Sequence, residues 1–325
     1  MAPKQVELEA KKLRVYTDGT VDRAPQPVAN ASPTTVDGVA SKDVVINLKN
    51  GVTGRLYKPQ VCDTLTSTKL PLLFYYHGGG FCTGSCSQVQ THNFLHSLCL
   101  KTRTLVIAVD YRLSPEHRLP AQYDDCMDAL YWAAKGGDGD WVAKYGNLAE
   151  CFLYGESSGG TIAHHVGVRV AGMSAEARPP RLAVRGLVLV QPFFGSAERT
   201  AHEESYARQG SQQELLARWY DLFWKLSLPQ GADKSSPYCN PKAHLSSLPS
   251  PVNGPPVLVT LAGLDLLLDR GLWYAELART HMKSKVEVMV EEGQDHNYHV
   301  NQPTSIQKNR LLTRISQFIN SQSSR

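Results

Sequence analysis

Ser157 lies in Gly155-Glu156-Ser157-Ser158-Gly159, a G-x-S-x-G sequence between the apolar run Cys151–Tyr154 and a segment of helical pattern, Thr161–Ala171. A serine held at a tight strand-to-helix turn projects its hydroxyl clear of the backbone. Small neighbours let other chain segments approach it closely. The first amides of the helix then point at whatever binds there. Alone, the pentapeptide reads equally well as plain turn chemistry, because Gly and Ser are ordinary loop residues. Upstream, His77-Gly78-Gly79-Gly80-Phe81 follows the apolar run Leu72–Tyr76. Successive glycines let several amides converge on one concavity, as acyl transfer requires where negative charge develops on a carbonyl oxygen. Each such donor is worth on the order of 3 kcal/mol. A flexible loop and a phosphate cradle are the competing readings, but neither phosphate-loop pattern is present. Gly78 and Phe81, at the two edges of the glycines, are expected to line the substrate.

An acid and a base follow in the chain order that the serine needs. Asp265 comes just after the run Val257–Leu261, and His296 just after Val286–Val290. In a parallel sheet, residues past the carboxyl ends of strands reach one rim, where the sites of open α/β folds lie. Ser157 would attack, His296 would take and return the proton, and Asp265 would orient the imidazole. His299, three residues further on, is the alternative base. His164 and His165 sit on the helix after Ser157, are carried away from its hydroxyl, and read as packing or surface residues. His117 reads as part of a structural loop, Asp269 as the cap of the following helix, and Asp295 as solvated.

The elements that must position these groups show a repeating rhythm. Apolar β-rich runs at 72–76, 105–109, 151–154, 187–190, 257–261 and 286–290 alternate with helix-compatible segments at 87–100, 123–135, 161–171, 270–282 and 304–319. Such alternation implies a mostly parallel central sheet with helices on both faces. An antiparallel hairpin, 43–48 and 53–57 around Lys49-Asn50-Gly51, precedes it. Residues 1–40 show little periodicity beyond a short strand at Leu13–Tyr16 and read as an arm. From about 195 to 256 no core strand is expected. An aromatic helical segment, Leu215–Leu226, marks this insertion as a cap rather than a loose loop.

Bulk properties exclude other classes. A length of 325 residues suits one large α/β domain. The net charge of +4, from 34 basic and 30 acidic residues without long runs of one sign, gives no basis for nucleic-acid or membrane-surface binding. No apolar stretch approaches a membrane span, and the N-terminus lacks a signal-peptide core, so a cytoplasmic location is expected. Seven scattered cysteines with no zinc-finger spacing read as free thiols. No cofactor and no metal are expected.

Together, VYTDGTVDR, HGGGF, VDYRLSPEHRLPAQYDD, GESSGG, SSPYCNP, AGLDLLLDRG and GQDH resemble the plant carboxylesterases of the hormone-sensitive-lipase-like group of α/β-hydrolases. The likeness runs nearly end to end. It implies a single α/β-hydrolase domain over residues 1–325, capped by the arm and the insertion, and a monomer or homodimer acting on a small-molecule ester or related specialised metabolite. It also implies a triad of Ser157, Asp265 and His296, with oxyanion donors from Gly79, Gly80 and Ser158. Related branches include the gibberellin receptor, whose triad histidine is replaced, hydroxyisoflavanone dehydratases that can carry threonine as nucleophile, and lactone-forming transacylases and alkaloid cyclases. This chain keeps both serine and histidine. It departs from the family at Glu156 (usually aspartate), Thr161 (commonly asparagine) and Asn297-Tyr298.

Overall fold

The computed structural model describes every residue except 1–4, 11, 12, 19, 65–68, 209, 211, 324 and 325. In chain order the strands are β1 (Val6–Ala10), β2 (Leu13–Tyr16), β3 (Val21–Arg23), β4 (Val39–Asn47), β5 (Val52–Pro59), β6 (Leu70–Tyr76), β7 (Leu105–Asp110), β8 (Gly146–Glu156), β9 (Val184–Val190), β10 (Val257–Ala262) and β11 (Val286–Glu291). The helices are α1 (Val89–Thr102), α2 (Ala121–Ala134), α3 (Trp141–Tyr145), α4 (Ser158–Gly172), α5 (Ala201–Arg208), α6 (Gln212–Ser227), α7 (Pro241–Ser246), α8 (Leu268–His281), α9 (Tyr298–Asn301) and α10 (Ile306–Gln322).

Eight strands form one sheet in the order β11-β10-β9-β8-β6-β7-β5-β4. The six apolar runs are its parallel strands, and the hairpin β4–β5 joins antiparallel at one edge. Successive residues of β6 point to opposite faces, as the period of two requires. Leu72, Phe74 and Tyr76 pack with residues of α2, α4 and α8, while Leu73 and Tyr75 pack with residues of α1 and α10. Both faces are thus covered, which is why these strands read as continuous apolar runs.

Three features differ from the sequence expectations. The arm carries more order than one strand, because β1, β2 and β3 form a small antiparallel sheet of their own. Leu13 and Val15 of that sheet pack on Cys82 and on Leu226 of α6. Helix α4 begins at Ser158 rather than Thr161, despite glycines in its first turn. A Cβ on Gly159 would lie 2.0 Å from the Tyr76 carbonyl oxygen, and one on Gly155 would lie 1.9 Å from that of Gly159. Only glycine lets the helix start so close to the strand ends. Asp269 does not cap α8. Its carboxylate accepts the His202 N–H at 2.9 Å, at the start of α5, and so ties the insertion to α8.

The insertion between β9 and β10 contains α5, α6 and α7 and, among the described residues, no strand. Helix α6 lies beside the arm sheet. No helix among the described residues is long and apolar enough to cross a membrane.

Candidate active site

Sheet register brings the strand ends level. Tyr76 pairs with Gly155, Glu156 with Val190, Val190 with Thr260, and Ala262 with Glu291. Ser157 follows β8, Asp265 follows β10 and His296 follows β11, three strands or about 14 Å away at the usual strand spacing. The loops after β10 and β11 therefore have to reach back across the rim.

They do so. The Ser157 hydroxyl oxygen lies 3.1 Å from His296 Nε2, and His296 Nδ1 lies 2.7 Å from Asp265 Oδ2. The other Asp265 oxygen accepts the Leu267 N–H at 3.0 Å. Ser157 adopts φ 52° and ψ −119°, a strained conformation for a residue with a side chain, costing about 1–3 kcal/mol. Its backbone is pinned on both sides. Its N–H donates to Val190 O, and its carbonyl accepts from Gly160 and Phe193, each at 2.9 Å. Burial disfavours the charged form of His296, but the negative charge of Asp265 and its hydrogen bond outweigh this and raise the imidazole pKa above its ordinary value.

The glycine loop lies against the nucleophile. A Cβ on Gly78 would be 3.3 Å from Ser157 Cβ. Gly79 and Gly80 have φ of +112° and +60°, open to glycine at no steric cost. Among the described residues, the amides of Gly79, Gly80 and Ser158 donate to no other protein group. The loop is anchored from beneath. His77 stacks on Tyr111 with ring centroids 4.1 Å apart, the Tyr111 hydroxyl donates to His77 O at 2.7 Å, and Asp110 accepts the Cys86 N–H at 2.7 Å. Arg23 of β3 clamps it from the arm side, donating to Cys82 O, Ser114 O and both carboxylate oxygens of Glu116.

Phe81 does not line an open surface. Its φ of +64° turns the ring inward, where it is fully buried 5.4 Å from Trp224 and 6.2 Å from Tyr123. The apolar ring is accommodated by the core and supports the loop from behind. His299 is not placed to act on Ser157, because its Nε2 meets Glu156 Oε2 at 2.8 Å in the core. The Tyr75 hydroxyl donates to the other Glu156 oxygen at 2.7 Å. Burial opposes the Glu156 carboxylate, yet the hydrogen bonds from His299 and Tyr75 hold its pKa below the ordinary carboxylate value. His164 and His165 are buried, His117 and Asp295 are exposed.

Several contributors escaped the sequence reading. Tyr220 of α6 stands edge-on to His296 at 5.9 Å, and the Phe223 ring covers Gly80, where an added Cβ would come within 2.5 Å of it. Gln191, with φ 47°, accepts the Asn297 N–H at 2.7 Å and steadies the histidine loop. Its position one residue past β9, on the same rim, was the available signal.

Comparison with known proteins accords with this geometry. A family model described as the alpha/beta hydrolase fold matches residues 73–300. The chain belongs to the α/β-hydrolase family. It is 35% identical over 289 residues to "Probable carboxylesterase 6" of Arabidopsis thaliana, covering 89% of this chain and 82% of that one. It is 32% identical to 2-hydroxyisoflavanone dehydratase of Glycyrrhiza echinata, covering 94% of each. Among solved structures, an esterase of Pyrobaculum calidifontis superimposes with a TM-score of 0.70 at 26% identity, covering 88% of this chain and 86% of that one. This α/β-hydrolase is therefore an enzyme of carboxylesterase type.

Proposed function

We propose that this α/β-hydrolase is a serine carboxylesterase that cleaves small, largely apolar esters through an acyl-enzyme. The observation that carries the reading is the hydrogen-bonded line from Ser157 through His296 to Asp265, beside three amides with no protein acceptor. Ser157 Oγ bonds to the ester carbonyl carbon while its proton passes to His296 Nε2. The oxygen that gains charge is received by the amides of Gly79, Gly80 and Ser158. Collapse breaks the bond to the alcohol, which leaves with the proton from His296. Water then repeats the sequence, its proton going to His296 and its oxygen to the acyl carbon, and Ser157 departs reprotonated. Asp265 holds the imidazole with its Nε2 lone pair toward serine and stabilises the imidazolium.

Tyr220 and Phe223 supply aromatic surface beside the base and the glycine loop, which favours apolar acyl or alcohol groups. The arm and the insertion act as the cap. The reducing cytosol is the proposed compartment, in keeping with seven free, buried thiols.

Hydrolysis of short p-nitrophenyl esters tests the reading. Wild type should turn over, and Ser157→Ala should fall to near the rate without enzyme. An inactive wild type, or a fully active Ser157→Ala, overturns it. The similarity to a protein named a dehydratase favours one second reading, in which His296 abstracts a carbon-bound proton and no ester forms on Ser157. That reaction would yield an eliminated product and survive Ser157→Ala.

A further inference from the structure

A second cluster of reactive side chains lies along α4, beyond its first turn. His164 and His165, on the second turn of α4, meet His244 of α7 from the insertion. One ligand nitrogen from each lies within 4.8 Å of those of the other two. His164 Nε2 and His244 Nδ1 are 3.1 Å apart, close to the roughly 3.3 Å edge that a tetrahedral zinc ion sets between nitrogens at about 2.0–2.1 Å from the metal.

The outer nitrogen of His164 is also provided for. His164 Nδ1 lies 3.2 Å from the Tyr274 hydroxyl. Partners of this kind orient metal-binding imidazoles and fix the tautomer. The rings are held in place by packing. His165 stacks on Tyr123 at 4.1 Å, and His164 stands edge-on to both Phe194 and Tyr274, which stack on each other at 4.5 Å.

His164 and His165 are enclosed, whereas His244 is half-buried and leaves a side from which an ion and a fourth ligand, water, can enter. Among the described residues no carboxylate joins the group. This disfavours calcium and magnesium and suits ions that take imidazole. The positions are seven and eight residues along the helix from Ser157, or about 10 Å of rise. The ion would therefore lie outside the acyl-transfer site.

We propose that His164, His165 and His244 form a binding site for a divalent transition-metal ion of the zinc class, which fastens the insertion to the helix behind the nucleophile. The competing arrangement is a metal-free hydrogen-bonded imidazole network, and metal binding separates the two. Chelator-stripped protein is dialysed against micromolar Zn2+, bound zinc is measured per chain, and Co2+ is added in parallel to read tetrahedral coordination from its visible spectrum. Wild type and His296→Ala should each bind one ion, with a raised unfolding temperature. His244→Ala, altered at a half-buried position on a short helix, should bind at least tenfold more weakly and lose the temperature rise. Tyr274→Phe, which keeps the ring and removes only the outer partner, should weaken binding by about 10–100-fold. No binding by wild type, equal binding by wild type and both variants, or loss in His296→Ala in place of His244→Ala overturns the proposal. If His244→Ala fails to fold, Tyr274→Phe decides on its own.

Discussion

Exchanging Asp265 for asparagine changes one atom and tests the whole hydrogen-bonded line. In the native site one carboxylate oxygen accepts the Leu267 N–H at 3.0 Å and the other faces His296 Nδ1 at 2.7 Å. Asparagine brings one oxygen to these two donors. If that oxygen stays on Leu267, the amide NH2 meets Nδ1, which must become an acceptor. The ring proton then moves to Nε2 and removes the lone pair that takes the Ser157 proton. If the amide flips, its NH2 opposes the Leu267 N–H, leaving a buried donor unpaired at a cost of about 1–3 kcal/mol, and the negative charge is still missing. Both arrangements predict a fall in kcat of about 10³–10⁴, equivalent to roughly 4–5.5 kcal/mol of barrier.

The pH dependence adds an independent sign. His296 must be neutral to act as base, so activity rises with pH through its pKa. Burial pushes that pKa down, and Asp265 outweighs burial and raises it. Removing the charge therefore lowers the plateau and moves the acidic limb to lower pH. Steady-state hydrolysis of p-nitrophenyl acetate from about pH 5 to about pH 9 reads both effects, with thermal unfolding as the check on folding. An Asp265→Asn enzyme within tenfold of wild type, or an acidic limb that stays put or moves upward, would refute the reasoning.

Three other outcomes follow from the same geometry. Glu156→Gln leaves one of the two buried donors, Tyr75 or His299, facing an amide NH2; urea unfolding should show a loss of about 1–3 kcal/mol, and unchanged stability would contradict the buried pairing. Phe223→Ala uncovers Gly80; kcat/KM for a long-chain p-nitrophenyl ester relative to the acetate should rise about tenfold, and an unchanged ratio would remove Phe223 from the acyl-binding surface. All seven cysteines are buried, and burial pushes the thiols of Cys82 and Cys151 up to about 12. A thiol reagent at about pH 8 should therefore label fewer than one cysteine per native chain and all seven after denaturation, and rapid labelling of the native chain would contradict that burial.

The parallel strands and the rim were legible because each central strand is buried on both faces and reads as an unbroken apolar run. Ser157, Asp265 and His296 could be found because each stands within a few residues of such a run, so sequence distance fixes their height above the sheet. The second layer was hidden for the opposite reason. Glu156, His299 and Tyr75 converge from β8, α9 and β6, and no spacing links them. The inward turn of Phe81 is not legible in the sequence, because adjacency to glycines says nothing about which way a ring turns and its positive φ sends it inward. The arm looked irregular because β1, β2 and β3 are three to five residues long, too short for alternation to register. Asp269 follows the sequence rule for a helix cap, but its carboxylate is engaged by α5 of the insertion, a tertiary contact to which local pattern is blind.

Helix α6 bears on two parts of the reaction centre at once, through Phe223 over Gly80 and Tyr220 beside His296. Ser157 itself is only 5% exposed. A stiff rod in contact at two points does not yield at one of them alone. The room above the serine is therefore bounded by a single element, and one substitution on that helix alters the surroundings of the base and of the glycine loop together.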